Sequence, residues 1–387
     1  MGVAPFRVGG IVEPPYFVGR EDELRSLAAD ARSLAQNLLI LGPRRHGKSS
    51  LLHNLKLALA EEKALLVPYV NCLEVTSYAD LHRVMVDAVI GEYAKAHRVA
   101  GWAEMLRALV KEGVLAALRR VDEIGGSVGE VGRIYLRFRE SEVDDKELLR
   151  GGFGFFRSFA QEKHVQILFL LDEFQEVANL NGYLFQVLKQ EIDRTPEVRY
   201  IFSGSSVRML TSIFLREDAP LYLMVSRHVM GPLLEDDVVG FVRERLGVAG
   251  LAATEDALRT VHRLAGGIPF YVQKLGLLVA QAALLAKRKR VSEKDVQQAF
   301  KQMLEELEGE FEVRWISRLS QQQRAVVKLV AQAGAIRLSE VAARMGVPAT
   351  SISSAMRRLQ DMMILHTNDA GAYSVTDVVF GAWLARQ

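Results

Sequence analysis

The chain has 387 residues, of which 49% are apolar and 25% charged, with a formal net charge of +2 and a single cysteine. This length exceeds one ordinary core and suits two or three domains, and the balance is that of a folded globular protein rather than a disordered one. The near-neutral charge excludes a polycation, so any nucleic-acid surface is local, and the lone Cys72 excludes an internal disulfide.

Cys72 reads more simply as a small buried residue beside a strand than as a nucleophile, and the absence of disulfides fits a reducing compartment. The first twenty residues lack the continuous apolar core of a signal peptide. The longest apolar runs, 167–171 and 275–280, fall short of the roughly 20 residues of a membrane span. The expectation is a soluble, cytoplasmic protein with no membrane partner.

Residues 1–15 are rich in Gly, Pro and Val, without helical period, and read as an extended arm. Residues 16–24 follow with apolar side chains, Gly19-Arg20, and an acidic helix start suited to the N-terminal dipole, giving a helix to about residue 35. Four apolar residues, Leu38 to Leu41, then form a short buried strand. Directly after it come Gly42, Pro43, Arg44, Arg45, His46, Gly47, Lys48, Ser49 and Ser50, which fit the phosphate-loop (Walker A) pattern GxxxxGK[ST]. The spacing has a chemical reason. Glycines let the backbone curl so that successive N–H groups and a helix N-terminus face a polyphosphate. In that pattern Lys48 reaches the β- and γ-phosphates of a nucleoside triphosphate and Ser49 holds magnesium.

A helix over 48–61, a second buried strand over 64–71 and a helix over 78–97 come next. Residues 101–152 alternate helical apolar periods with glycines and charges, and read as a helical insertion. Residues 165–175 give a strand buried on both faces that ends in Asp172 and Glu173. Its C-terminal edge is where ligands sit in parallel α/β sheets. Asp172 is placed to bind magnesium, as in a Walker B strand, and Glu173 to orient or deprotonate an attacking water. The strand over 199–206 ends in a polar cluster in which Ser203 and Ser205 are both candidates to test for the γ-phosphate, with a serine-rich turn as the plainer alternative. A fifth strand is expected over 221–230, with Arg227 and His228 inside it. The β, α alternation argues for a mainly parallel, helix-covered sheet.

From residue 231 the period is helical: 235–246, 254–265, 268–287 and 292–308, the last opened by Ser292 and Asp295, close to a capping box. Gly266-Gly267-Ile268-Pro269 is a helix stop followed by a helix start, locally no more than a tight turn. The run KRKR at 287–290 reads as a solvated helix end. The last segment has the pattern of a winged helix-turn-helix: helices over 321–333, 338–345 and 349–362, then a hairpin of 364–367 and 372–375. Its third helix offers Thr350, Ser351, Ser353, Ser354, Arg357 and Arg358, types suited to phosphate and base-edge contacts with duplex DNA. From residue 311 on there are nine Arg or Lys against five Asp or Glu, a small local excess. Winged helices also dock proteins, so both partners stay open.

Taken together, the PFxxGG and PPxFVGRExEL entry (residues 5–24), the GPRRxGKSSLL loop, LDEFQ at 171–175, SGSS at 203–206, GGIP at 266–269 and the aromatic Phe380 and Trp383 near the chain end resemble the archaeal-type ATPases of the STAND class, relatives of the AAA+ replication initiators. The resemblance covers nearly the whole chain. It implies an α/β P-loop NTPase domain at 1–230 with a parallel sheet of order 5-1-4-3-2, a helical lid at 231–310 and a winged helix-turn-helix at 311–387. It also implies ATP as the nucleotide, with Gly19 and Arg20 framing the adenine and Pro269 bringing the lid to the nucleotide. The lid would close on ATP and open on ADP. The family works as slow, magnesium-dependent nucleotide switches that self-assemble on activation. The catalytic set expected from the residues themselves is Lys48, Glu173 and Ser205. No arginine finger is assured in the class, and Arg208, Arg216 and Arg227 stay open here.

Overall fold

The computed structural model describes residues 4–97, 121–126, 134–138, 145–180 and 183–387. The chain divides into two compact units, one of Glu21–Gly42 and Lys48–Met230, the other of Met1–Arg20, Pro43–Gly47 and Gly231–Gln387. We call them the sheet unit and the helical unit.

In the sheet unit, α1 (Glu21–Ser33) precedes β1 (Asn37–Leu41), which is buried along its whole length. Then come α2 (Lys48–Ala58), β2 (Leu65–Leu66), β3 (Tyr69–Asn71) and α3 (Tyr78–His97). The antiparallel pair β4 (Val121–Gly126) and β5 (Ile134–Phe138) follows, and then α4 (Asp145–Lys163). Next are β6 (Gln166–Asp172), a 3-10 turn Phe174–Asn179, α5 (Tyr183–Arg194), β7 (Val198–Gly204), α6 (Val207–Phe214) and β8 (Val225–Val229).

The sheet is parallel, with β1 between β7 and β8, β6 beyond β7, and β2 and β3 both on the far side of β6. Counting β2 and β3 as one gives the expected order, but the detail differs, since the second strand is broken into two pieces. Pro68 lies at the break. It has no N–H to give to a ladder, and its carbonyl accepts from Leu170 N at 2.9 Å instead. The fifth strand is also shorter than expected, because residues before Val225 turn, with Leu223 at φ 64°. The stretch 101–152 is not a helical insertion throughout. It contains the β4–β5 pair, and the helix α4 starts inside it; residues 98–120, 127–133 and 139–144 lie outside the described residues. Aromatic rings fill the core on β6 and β7: Phe169 stacks on Tyr200 at 5.6 Å, Tyr200 on Phe202 at 5.7 Å, and Phe174 tilts against Phe202 at 4.6 Å.

The helical unit holds α7 (Glu235–Val248), β9 (Ala252–Ala253), α8 (Glu255–Ala265), α9 (Pro269–Leu285), β10 (Arg290–Val291) and α10 (Glu293–Arg318). It continues with α11 (Gln321–Ala333), α12 (Leu338–Met345), α13 (Ala349–Asp361), the antiparallel pair β11 (Leu365–Thr367) and β12 (Tyr373–Val375), and α14 (Val378–Leu384).

One apolar core runs from Phe6 through these helices to Trp383. The compact units therefore divide the chain differently from the three expected parts. The first twenty residues group with the helices because Phe6 is buried against Phe241, ring centroids 5.9 Å apart. A Cβ on Gly276 would come within 2.4 Å of the same Phe6 ring, so the glycine makes the seat for it. Residues 231–310 and 311–387 are joined by α10, which continues past the expected stop near residue 308. A single glycine, Gly309, costs a helix only about 1 kcal/mol relative to alanine. Beyond it, Phe311 packs with Phe380 at 5.4 Å and with Trp383 at 5.7 Å.

In the sheet unit, burial of His82 on α3 pushes its pKa down to about 4. A Cβ on Gly152 would lie 1.9 Å from its ring. The unfolded chain takes up this proton near the ordinary histidine value while the folded one does not, so stability falls as pH drops from about 6.5 towards 4. Denaturant unfolding across that window should show a smaller acid-side loss in His82→Gln than in the wild type.

Candidate nucleotide site

The register of the parallel sheet sets the site. Leu41 pairs with Gly204 and Asn71 with Asp172, so the C-terminal ends of β1, β3, β6 and β7 make one row. Gly42 leaves β1 where a Cβ would approach Met230 to 3.1 Å, so only glycine fits there without a shift. Gly47, at φ 87°, takes a backbone conformation open to glycine. Lys48 is buried at 5% exposure, and its Nζ donates to Gly42 O at 2.8 Å. Ser49 Oγ donates to Asp172 Oδ2 at 2.5 Å. Ser50 is buried, and its carbonyl accepts from Asn54 Nδ2 at 2.7 Å within α2.

Asp172 itself is 2% exposed. Besides Ser49 it accepts from the Tyr69 hydroxyl at 2.9 Å and, through Oδ1, from Glu173 N at 3.0 Å. Burial, then the neighbouring Asp172 charge, raises the Tyr69 pKa, which keeps that hydroxyl a neutral donor. Glu173 leaves the strand in the left-handed region, φ 50° and ψ 42°. Its Oε2 accepts from Gln175 Nε2 at 2.5 Å, Ser205 Oγ at 3.0 Å and Ser205 N at 3.3 Å. Burial alone would raise the Glu173 pKa. The bonds from Gln175 and Ser205 and the Lys48 charge outweigh it, and the carboxyl titrates below the ordinary glutamate range.

The structure separates the two serine candidates. Ser205 touches the Glu173 carboxylate, whereas Ser203 is fully buried and its Oγ has no hydrogen-bond partner among the described residues. Two contributors escaped the sequence reading, Tyr69 and Gln175. Each carried a signal: Tyr69 stands two residues before Asn71, on the same face of the strand that meets Asp172, and Gln175 closes the LDEFQ run. Among the described residues no cluster of three or more His, Cys, Asp or Glu could hold a metal. The oxygens of Ser49 and Asp172 are nonetheless hard donors of the kind magnesium takes, and this ion is commonly held by one or two carboxylates plus substrate phosphates.

The remaining residues lie in the helical unit. Gly19, at φ 66°, would meet Asp237 at 2.9 Å with any Cβ, and Arg20, 5% exposed, donates to the Gly231 carbonyl. Arg44 is exposed, and its carbonyl lies 3.1 Å from Nδ1 of the buried His46. Pro269 opens α9 at its first turn. The next two residues hold Arg45: its guanidinium carbon lies 4.4 Å from the Phe270 ring centre and 5.0 Å from that of Tyr271. Arg45 also donates to the Tyr271 hydroxyl at 2.5 Å and pairs with Glu310. In this arrangement Arg45 faces protein groups rather than open loop. The Tyr271 hydroxyl in turn donates to Asp377 Oδ2 at 2.9 Å, the same oxygen that accepts from Arg314 Nη1 at 2.9 Å. Asp377 Oδ1 accepts from Phe380 N at 3.0 Å and so caps α14.

On α13, Thr350, Ser351, Ser353, Ser354, Arg357 and Arg358 are exposed, while Ile352, Ala355, Met356 and Leu359 are buried. The helix thus presents the six polar candidates on its solvent side. No described helix is long and apolar enough to cross a membrane.

No protein-family model matches the chain. A stretch of 135 residues is 35% identical to the general secretion pathway protein A of Aeromonas hydrophila, spanning 33% of this chain and 23% of that protein. Among solved structures, a Walker-type ATPase of Pyrococcus abyssi superposes with a TM-score of 0.69 at 18% identity, covering 98% of this chain and 99% of the other. The ORC2 protein of Aeropyrum pernix, solved as ADPNP–ADP complexes, superposes with a TM-score of 0.64 at 14% identity, covering 100% and 96%. The chain thus has the fold of these two proteins, a parallel α/β P-loop sheet with appended helices.

The bonds around Tyr271 give a stability test. Burial, then the Asp377 charge, raises the Tyr271 pKa and keeps its hydroxyl a donor. Tyr271→Phe removes both bonds of that hydroxyl, and denaturant melts should show a loss of about 1–3 kcal/mol. In an Asp377→Asn background the same change should cost less, because the two share an interaction.

Proposed function

We propose that this protein is a magnesium-dependent ATPase that works as a nucleotide-controlled switch coupled to duplex DNA through a C-terminal winged helix. The observation that carries the reading is the 2.5 Å bond between Ser49 Oγ of the phosphate loop and Asp172 Oδ2 at the end of β6. A P-loop hydroxyl and a strand-end carboxylate brought together are the pair that holds magnesium on a nucleoside triphosphate. When bound, the ion would neutralise charge building on the β- and γ-phosphoryl oxygens.

The chain's own residues account for the other roles. Lys48, now bonded to the Gly42 carbonyl, exchanges that acceptor for phosphate oxygens. Backbone N–H groups of the loop and the N-terminus of α2 face the phosphates. Glu173 accepts hydrogen bonds on Oε2, which leaves Oε1 to align or deprotonate the attacking water. Ser205 stands on Glu173 and is the group that responds to the γ-phosphate. Adenine as the base, and its framing by Gly19, Arg20 and Pro269, rest on the resemblance to STAND-class ATPases.

The helices α11 to α13 and the β11–β12 hairpin have the winged-helix order of elements, and the exposed polar side of α13 supplies phosphate and base-edge donors. A two-state switch moves decisively only if ATP favours one state by about 5 kcal/mol. Contacts to the γ-phosphate supply such a difference, and hydrolysis removes it.

Turnover of Mg·ATP should fall about 100-fold or more in Glu173→Gln while ATP still binds. A rate equal to wild type would remove Glu173 from the chemistry. Duplex DNA binding titrated against salt tests the other half. The Arg357→Ala/Arg358→Ala variant should bind more weakly, with a log–log salt slope shallower by about 2. Unchanged DNA affinity would assign the winged helix to a protein partner.

A further inference from the structure

We infer that Gln175 is a positioning residue for the Glu173 carboxylate, holding it by its side-chain amide in a pocket that depends on Gly204. This rests on the reading of Glu173 as the group that activates water.

Glu173 lacks the restraint a strand would give. It sits one residue beyond β6 in a left-handed conformation that non-glycine residues seldom take, and its side chain is set by what binds its far end. Three donors converge there, all on Oε2: Gln175 Nε2, Ser205 Oγ and Ser205 N. The Gln175 bond is the shortest of the three at 2.5 Å, and Gln175 is 4% exposed, so water does not replace it freely. The amide is itself fixed. Its Nε2 also donates to Glu176 Oε1 at 3.2 Å, and its Oε1 lies against Gly204, where a Cβ would approach it to 2.0 Å. That Oε1 is buried and accepts no hydrogen bond among the described residues.

The orientation of the amide follows from the two carboxylates. Turned the other way, Oε1 would face Glu173 and Glu176, acceptor against acceptor. One carboxylate oxygen thus takes three hydrogen bonds from the β6 and β7 ends, while Oε1 of Glu173 takes none among the described residues and is left to the attacking water. Ser205 contributes from the β7 side, and Gln175 is what ties the carboxylate to its own strand end.

Gln175→Met keeps the side-chain length and removes the donor. Gly204→Ala leaves the amide chemistry intact and displaces the amide by crowding it. Steady-state Mg·ATP turnover, ATP affinity and melting temperature would be measured for both, beside Glu173→Gln. A misplaced reacting group costs rate rather than binding, so kcat should fall about tenfold or more in both variants, with KM and ATP affinity within about twofold of wild type. A general loss of structure would instead move affinity and melting temperature together with kcat, and that result overturns the inference. So does a Gln175→Met kcat equal to or above wild type while Glu173→Gln is inactive; the reading of Glu173 then stands without Gln175. A fully active Glu173→Gln overturns the reading of Glu173 itself and this inference with it.

Discussion

Everything chemical in this molecule depends on the in-register ends of parallel strands. Because β1, β6 and β7 run the same way, with Leu41 paired to Gly204 and Leu171 to Phe202, the chain delivers Gly42, Asp172, Glu173 and Ser205 to one edge from three separate stretches of sequence. A one-residue slip of β6 would turn Asp172 to the opposite face and leave Ser49 without its 2.5 Å partner. Register is held by what fills the sheet's faces. The Phe169 ring of β6 stacks on Tyr200, its paired residue on β7, and Asn37 accepts from Tyr200 N at 2.9 Å while donating to the Met224 carbonyl at 3.1 Å. Packing far from the loop thus determines whether a hydroxyl and a carboxylate meet.

Local pattern made much of this legible. The apolar run before Gly42, the glycine spacing of the loop and the two carboxylates after a doubly buried strand are signals of short range, and each stood where the structure has it. The helices of residues 321–361 and the hairpin after them were readable for the same reason, since period and turn residues decide them. What escaped was long-range. Phe6 joins the helical unit because of Phe241 and the missing Cβ of Gly276, more than two hundred residues away. The run of α10 to Arg318 depends on rings at Phe380 and Trp383 that no window around residue 309 contains. The break at Pro68 was visible in the sequence and was missed because the flanking residues are apolar enough to read as one strand.

Two of the three long cations of the phosphate loop, Lys48 and Arg45, show how position decides the use of like charge. Lys48 opens α2 and folds back to a backbone carbonyl, a partner of modest strength that a phosphate can replace. Arg45, three residues earlier at φ 73°, faces two aromatic rings, a phenol and a carboxylate. A planar guanidinium stacks and forks in a way an ammonium does not, so the roles are not exchangeable. One charge is kept for exchange and the other for construction.

The hydrogen bonds that end at Asp377 have a consequence for descent. Arg45, Tyr271, Arg314 and Asp377 are scattered over more than three hundred positions, yet they share one chain of donors and acceptors that also caps the last helix. Tyr271 and Asp377 stand at the centre of it: loss of Tyr271 removes a partner from both Arg45 and Asp377, and loss of Asp377 removes one from both Tyr271 and Arg314. The centre of this chain of bonds therefore constrains descent more than its ends do: Tyr271 and Asp377 each serve two partners, so change at either should be rarer among descendants of this chain than change at Arg45 or Arg314.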